Sequence, residues 1–343
     1  MVGAPHAATG RGTLPKVETR SFARMGRDVS VVGLGTWQFG ADWGPVDEAD
    51  ALTTLAAAGE AGVTFVDTAD AFGDGRSERL VGQFLRARPD LPMTVATKIG
   101  ARAGGDPAAY TLENFRAWID RSRANLGLDV LDLVQLHCPP PEVYAMEAVF
   151  EALETLVDEK RITAYGVSVR SSAEALAAIA RPGVTSVQIV LNLLRHKPLE
   201  EVLTAAREAG VGVIARGPLA SGLLAGGYDE HTSFPPDDHR AYNRHGEVFD
   251  VGDTFSGVDF ATGLAAVRRL APLVPDGAAM AQFALRWIID QPGVTTVVAG
   301  ARNPAQARAN ASAARLRPLS IEALTTVTDV YNELIRPHVH HRW

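Results

Sequence analysis

The sequence predicts an α/β fold, a (β/α)8 TIM barrel, and three observations carry that expectation. Eight short, β-branched apolar runs alternate with segments whose apolar residues recur at helical spacing. No G-x-G-x-x-G turn follows the first run: GLGTWQFG (33–40) spaces its glycines differently and mixes in aromatic residues, which argues against a doubly wound sheet. Polar residues repeatedly stand where apolar runs end, as expected where barrel strands deliver side chains to an active face.

The strand runs, in order, are VSVVGLGT (29–36), TFVDTA (64–69), MTVATK (93–98), LDLVQLH (131–137), AYGVSV (164–169), TSVQIVLN (185–192), VGVIAR (211–216) and TTVVAG (295–300). Parallel strands need long connections, usually helices. The segments 47–62, 77–88, 111–128, 141–160, 172–180 and 199–210 supply them between the first seven runs. Thr111 is placed to cap the helix opening with LENF, and Gly62 and Gly210 to end theirs. An N-terminal β-hairpin is expected before the barrel, and a long loop after the seventh strand. That loop, about 225–257, is polar, aromatic and proline-bearing without periodicity, which marks a functional lid or disorder. Segments 263–274, 278–290 and 320–336 again have helical spacing. Residues 1–16 read as a mobile leader and 17–343 as one domain; the tail PHVHHRW, with His338, His340 and His341, reads as frayed.

Composition narrows the function classes. The 343 residues are 46% hydrophobic and 21% charged, enough for a large core, with a net charge of −7 and no lysine- or arginine-rich run. Nucleic acid and anionic membranes are therefore poor partners. The single cysteine, Cys138, excludes a disulfide within the chain and suits a reducing cytoplasm; nothing marks it as a nucleophile. Residues 1–16 lack the apolar core of a signal peptide, and no apolar stretch is long enough to cross a bilayer. His231, His239 and His245 share the long loop with Asp237 and Asp238, but their spacings match no zinc pattern, so no metal is expected.

The strand ends deliver Thr36 and Trp37, then Asp67, Lys98, His137, Ser168, Gln188 with Asn192, Arg216 and Gly300. A lysine ending an apolar strand is costly unless paired, and Asp67 is the obvious partner. By itself such a pair serves equally to hold the barrel mouth together.

With these residues in place the chain resembles the aldo-keto reductase superfamily, on the bacterial side, from about residue 17 to 335. The resemblance rests on GLGTWQFG, VDTADAFGDGRSE, ATK, LDLVQLH, YGVS, VQIVLN, ARGPLASGLL and AGARNPAQARAN, in that order. It implies a (β/α)8 barrel that binds NADP(H) without a dinucleotide fingerprint, and a catalytic tetrad of Asp, Tyr, Lys and His. Asp67, Lys98 and His137 fall on three of these, and Phe72 falls on the tyrosine. Phenylalanine keeps the ring and loses the proton, and a positioned general acid is worth roughly 10²–10⁴ in rate. The resemblance further implies cofactor contacts from Gly35, Thr36, Trp37, Asp67, Ser168, Gln188, Arg216, Leu219, Ser221, Gly300, Arg302, Gln306 and Asn310. Arg302 would meet the 2′-phosphate, and Arg216 would stack on the nicotinamide. Val169 and Ala309 depart from the family pattern beside two of these positions. Trp37, Trp43 and Phe72 are candidates to wall an aromatic substrate pocket.

The expected function is hydride transfer from NADPH to a carbonyl or conjugated enone of a small molecule, such as a sugar or natural-product intermediate. The proton would then come from protonated His137, a water or an acid of the long loop. A Phe72 introduced in place of tyrosine fits the sequence equally. A barrel repurposed for epimerisation or dehydration, with Lys98 as base, and a non-catalytic cofactor-sensing subunit are the alternatives.

Overall fold

The structure is a computed structural model that describes residues 17–40 and 43–343; the predicted leader lies outside these. A two-stranded antiparallel hairpin, β1 (Thr19–Phe22) and β2 (Arg27–Ser30), precedes a closed eight-stranded parallel barrel. Its strands are β3 (Val32–Gly35), β4 (Phe65–Asp67), β5 (Thr94–Ile99), β6 (Leu131–His137), β7 (Ile162–Ser168), β8 (Val184–Val190), β9 (Gly212–Arg216) and β10 (Val294–Gly300). Neighbours follow chain order, and β10 closes on β3. The predicted first run, 29–36, is divided: Ser30 ends the hairpin and Val32 starts the barrel, with the Ser30 hydroxyl donating to the Val32 carbonyl at 2.7 Å. One apolar run serves two sheets, which composition alone does not reveal.

Helices cover the barrel. Thr111 caps Leu112–Leu126 by accepting from the Asn114 amide, as predicted. Gly210 ends Val202–Ala209 in the left-handed region, and Gly62 follows Glu48–Glu60 by the same device. The segment 141–160 is a 3₁₀ turn (Pro141–Ala145) followed by an α-helix (Glu147–Asp158). The final predicted helix is α-helical over Ile321–Val330 and widens to a π turn over Tyr331–Ile335.

Strand alternation sets the two ends of the barrel. Phe65, Ala96, Leu133, Ala164, Ile214 and Val298 form an apolar layer inside it, and Phe22, Met25 and Val29 of the hairpin close that layer from the N-terminal end. Phe22 is fully buried, 5.8 Å from the Phe65 ring. Gly212 makes room for it, since a Cβ there would lie 2.2 Å from the Phe22 ring. Two residues further along the same strands stand Asp67, Lys98, Gln135, Arg216 and Gly300.

The expected loop after the seventh barrel strand is present as an ordered cover. It includes a 3₁₀ segment (Ala220–Ala225), a helical turn (His239–Tyr242) and two further 3₁₀ turns (Val251–Asp253 and Phe255–Gly257). The tail predicted to fray packs instead. His340 bonds the Tyr331 hydroxyl at 2.7 Å and contacts Glu200 at 2.9 Å. Trp343 lies on the Arg195 guanidinium at 3.8 Å and against Gly252 and Gly257 of the loop. An aromatic end seated on a buried cation outweighs the polarity that made the segment look loose. No helix among the described residues is long and apolar enough to cross a membrane.

Candidate active site

Asp67 ends β4 and Lys98 stands one residue before the end of β5, so the barrel register brings both to its C-terminal mouth. The Lys98 ammonium donates to Asp67 Oδ2 at 2.6 Å and to the Thr68 carbonyl at 2.9 Å. The other carboxylate oxygen accepts from Gln188 Nε2 at 2.7 Å and from Gln135 Nε2 at 3.4 Å. Both charges are buried, so the pair survives only because each partner is hydrogen-bonded on several sides. Burial pulls the Lys98 pKa below its ordinary value, while Asp67 opposes that shift.

Phe72 comes from the turn after β4. Its ring centroid is 5.1 Å from Lys98 Nζ, 6.0 Å from the His137 ring and 6.0 Å from the Trp37 ring, on which it stacks. Two glycines hold that turn against the Trp37–Gly40 turn: a Cβ on Gly40 would meet the Phe72 backbone at 2.5 Å, and one on Gly73 would meet the Gly40 carbonyl at 2.5 Å. Arg76 ties the two together by donating to the carbonyls of Phe39 and Val46. The sequence-predicted set Asp67, Phe72, Lys98 and His137 is therefore assembled at one place.

His137 ends β6 opposite Ser168 of β7. Burial and the nearby charges of Lys98 and Arg216 hold its pKa down at about 3. The imidazole is neutral near pH 7, and its Nδ1 is buried without a hydrogen-bond partner. Protonated His137, expected above as one proton source, is therefore disfavoured at that pH. Two of the long-loop acids are ion-paired, Asp253 with Arg216 and Asp238 with Arg240. Burial favours their neutral forms, but those arginines outweigh it and keep both carboxyls ionised below the usual carboxylate range.

Other predicted residues reach the same mouth. Thr36 is fully buried and donates to the Asp67 carbonyl at 2.9 Å. Ser168 is buried, its hydroxyl 3.7 Å from Cys138 Sγ. Gly35 and Gly300 pair across β3 and β10, and a Cβ on Gly300 would lie 1.9 Å from Gln38 Nε2. Asn310 donates to the Gly300 carbonyl at 3.1 Å, while Gln306 Oε1 accepts from the Arg302 amide at 2.9 Å. The exposed Arg302 donates to the Pro45 carbonyl at 3.2 Å.

Two positions are held differently from expectation. Arg216 is bound by Asp253 and donates to the Val169 carbonyl at 3.2 Å, so its guanidinium is braced by the loop. The Ser221 hydroxyl donates to the Asp253 carbonyl and accepts from the Phe255 amide, each at 3.1 Å, and so fastens the loop; Leu219 is half-buried against the core. Trp37 and Trp43 meet edge to face at 5.5 Å, and loop residues join them: His239 lies 5.0 Å from Trp37 and 4.4 Å from Trp43, Phe249 5.9 Å from Trp37. His231 and His245 are exposed and His239 is buried. Among the described residues no group of three or more His, Cys, Asp or Glu side chains is placed to hold a metal.

The sequence reading missed Gln135, Asp253 and Phe249 and named His239 only as a loop histidine; Gln135 carried a signal as a polar residue inside the apolar run LDLVQLH, and the other three lie in the loop marked as a lid.

A parallel barrel with a buried Asp–Lys pair and a histidine at its mouth defines a class, and comparison with known proteins agrees. Residues 31–332 match the aldo/keto reductase family model, and the chain belongs to that family. It is 32% identical over 299 residues to the aldo-keto reductase YhdN of Bacillus subtilis, covering 85% of this chain and 87% of that protein. It is 34% identical over 319 residues to an uncharacterized oxidoreductase of Mycobacterium tuberculosis, covering 88% and 89%. Among solved structures, the glycerol dehydrogenase AKR11B4 from Gluconobacter oxydans superposes with a TM-score of 0.75 at 28% identity, over 94% of this chain and 96% of that one. An aldo/keto reductase from Klebsiella pneumoniae in complex with NADP and acetate shares the fold, with a TM-score of 0.65 at 23% identity over 89% and 93%.

Proposed function

We propose that this chain is an NADP(H)-dependent oxidoreductase that reduces a carbonyl or conjugated enone of a small molecule without a tyrosine acid. The observation that carries the reading is the buried Asp67–Lys98 pair beneath the Phe72 ring, with neutral His137 alongside. The residues fit the cofactor. Arg302 is an exposed guanidinium that makes no ion pair among the described residues, which suits a phosphate dianion. Ser168, Gln188 and the buried, unpartnered amide oxygen of Gln38 offer polar atoms at the mouth. When bound, the cofactor supplies hydride.

The chain's own residues handle the oxygen and its proton. His137, being neutral, donates a hydrogen bond and orients the substrate oxygen. Lys98 supplies positive charge where negative charge develops. With Phe72 in the tyrosine's expected place, the Lys98 ammonium is the acid left in the set, and burial eases loss of its proton. An enone suits the site best, because hydride then goes to the β-carbon, the enolate oxygen needs only charge stabilisation, and the α-carbon takes its proton from solvent.

The test follows NADPH absorbance against aldehydes, diketones and enones, beside the Phe72→Tyr variant, after fluorescence titration shows that both bind cofactor. Carbonyl reduction should rise about 10²–10⁴-fold in the variant. Unchanged carbonyl rates with tyrosine installed would sink the assignment of Phe72 to the acid position. The lowered Lys98 pKa also favours a second reading, in which its amine is the base of an epimerisation or dehydration. Product formation without net NADPH consumption would select that reading.

A further inference from the structure

Arg216 and Arg170 lie beside Cys138, Arg195 donates to the Arg170 carbonyl, and among the described residues the three make a single ion pair. Arg216 takes Asp253. Arg195 is buried beneath Trp343 and makes no ion pair among the described residues. Arg170, two residues beyond Ser168 at the end of β7, is half-buried and makes none either. Its guanidinium donates to the Cys138 carbonyl at 3.1 Å. The other carboxylates nearby are committed: Glu174 accepts the backbone amides of Arg170 at 2.7 Å and Ser171 at 3.3 Å, and Asp250 accepts that of Gly252 at 2.8 Å.

A second group points to a ligand. Tyr144, on the turn that follows the His137–Cys138 strand end, is 7% exposed, and its hydroxyl is buried without a hydrogen-bond partner. Burial and the neighbouring Glu174 push its pKa up, so the hydroxyl stays protonated as a donor; its turn packs on the helix Ser172–Ile179 that Arg170 leads into. An unsatisfied buried donor is costly, and an unpaired guanidinium fork matches a planar, bidentate acceptor.

We propose that Arg170, assisted by the Tyr144 hydroxyl, binds a carboxylate of the substrate, so that the compound reduced is a small carbonyl or enone acid; this rests on the reductase reading above. The anchor lies at the carbonyl of the residue after His137, so the carboxylate sits only a few bonds from the group that His137 orients. Trp37, Phe72 and Phe249 form the aromatic side of the same mouth and suit a planar body between the two polar ends.

The experiment compares para-carboxybenzaldehyde with its methyl ester as substrates of the NADPH-loaded protein. It also titrates the loaded protein with non-reducible benzoate and benzamide, read by tryptophan fluorescence. The acid should exceed the ester by roughly 10- to 100-fold in kcat/KM, and benzoate should bind where benzamide does not. Arg170→Met should collapse both differences, mainly through KM, and Arg170→Lys should restore part of them. Tyr144→Phe should reduce them less. A residue that only holds the fold would alter acid and ester together. Equal use of acid and ester by the unaltered chain overturns the proposal. So does an Arg170→Met variant that loses NADPH affinity by the same factor as benzoate, since the guanidinium would then serve the cofactor. If neither aldehyde is reduced, the reductase reading fails alone when benzoate still binds through Arg170, and the anchor fails when it does not.

Discussion

The two ends of the barrel are built from the same strands and could hardly differ more. At the N-terminal end the inward side chains are Phe65, Ala96, Leu133, Ala164, Ile214 and Val298, sealed by Phe22. Two residues along, they include Asp67, Lys98, Gln135 and Arg216. A strand repeats every two residues, so one step along the inward row exchanges an apolar plug for a buried ionic site. The plug gives stability without specificity of partner; the ionic site needs every donor and acceptor satisfied. Changes at the two ends should therefore fail in different ways.

The largest effect is expected at the mouth. Lys98→Met should lower NADPH-dependent reduction per folded molecule by about 10²–10⁴-fold while the folded fraction still binds cofactor, as read by turnover beside fluorescence titration. Retained turnover would mean that the ammonium takes no part. At the other end, Phe22→Ala should cost about 3–5 kcal/mol of stability in urea unfolding, with turnover per folded molecule preserved below the new midpoint. A loss of turnover without loss of stability would break the contrast.

A smaller effect is expected where the 336–343 segment meets the loop. Trp343→Ala removes the ring from Arg195 and should cost on the order of 2 kcal/mol, with faster proteolysis inside 225–257. Unchanged cleavage rates would show that the loop is held without it.

A further effect, seen only in acid, is shared by His137 and His196. Burial holds both at about 3, below the usual 6.5 of the unfolded chain. Between those values the unfolded state binds more protons, so stability should be fully present above pH 6.5 and fall as pH drops toward 3. His196, stacked on Tyr331 at 3.9 Å and Trp287 at 4.7 Å, lies away from the proposed chemistry. His196→Gln should flatten the acid slope of the melting temperature; an unaltered slope would exclude its share.

Much of the site was legible because its signals are local. Asp67, Lys98 and His137 are polar residues at the ends of apolar runs, and a one-dimensional pattern reports that directly. Arg216 shows where such reading stops: its place was evident, but its partner Asp253 lies 37 positions away in a loop without periodicity. The frayed reading of 338–341 failed for the same reason, since it depended on Arg195 and Tyr331, which only folding brings to that segment.

The sequence by itself determined the barrel, the order of its strands and the residues carried to its mouth. Those follow from hydrophobic period, turn chemistry and the alternation of a strand, each fixed over a few neighbouring residues. The tertiary structure decided which charges are paired, that His137 is neutral, that Arg170 has no carboxylate partner among the described residues, and which loop rings join Trp37. Those depend on burial and on contacts between residues far apart in the chain, because a charge is stabilised or shifted by whatever packs around it.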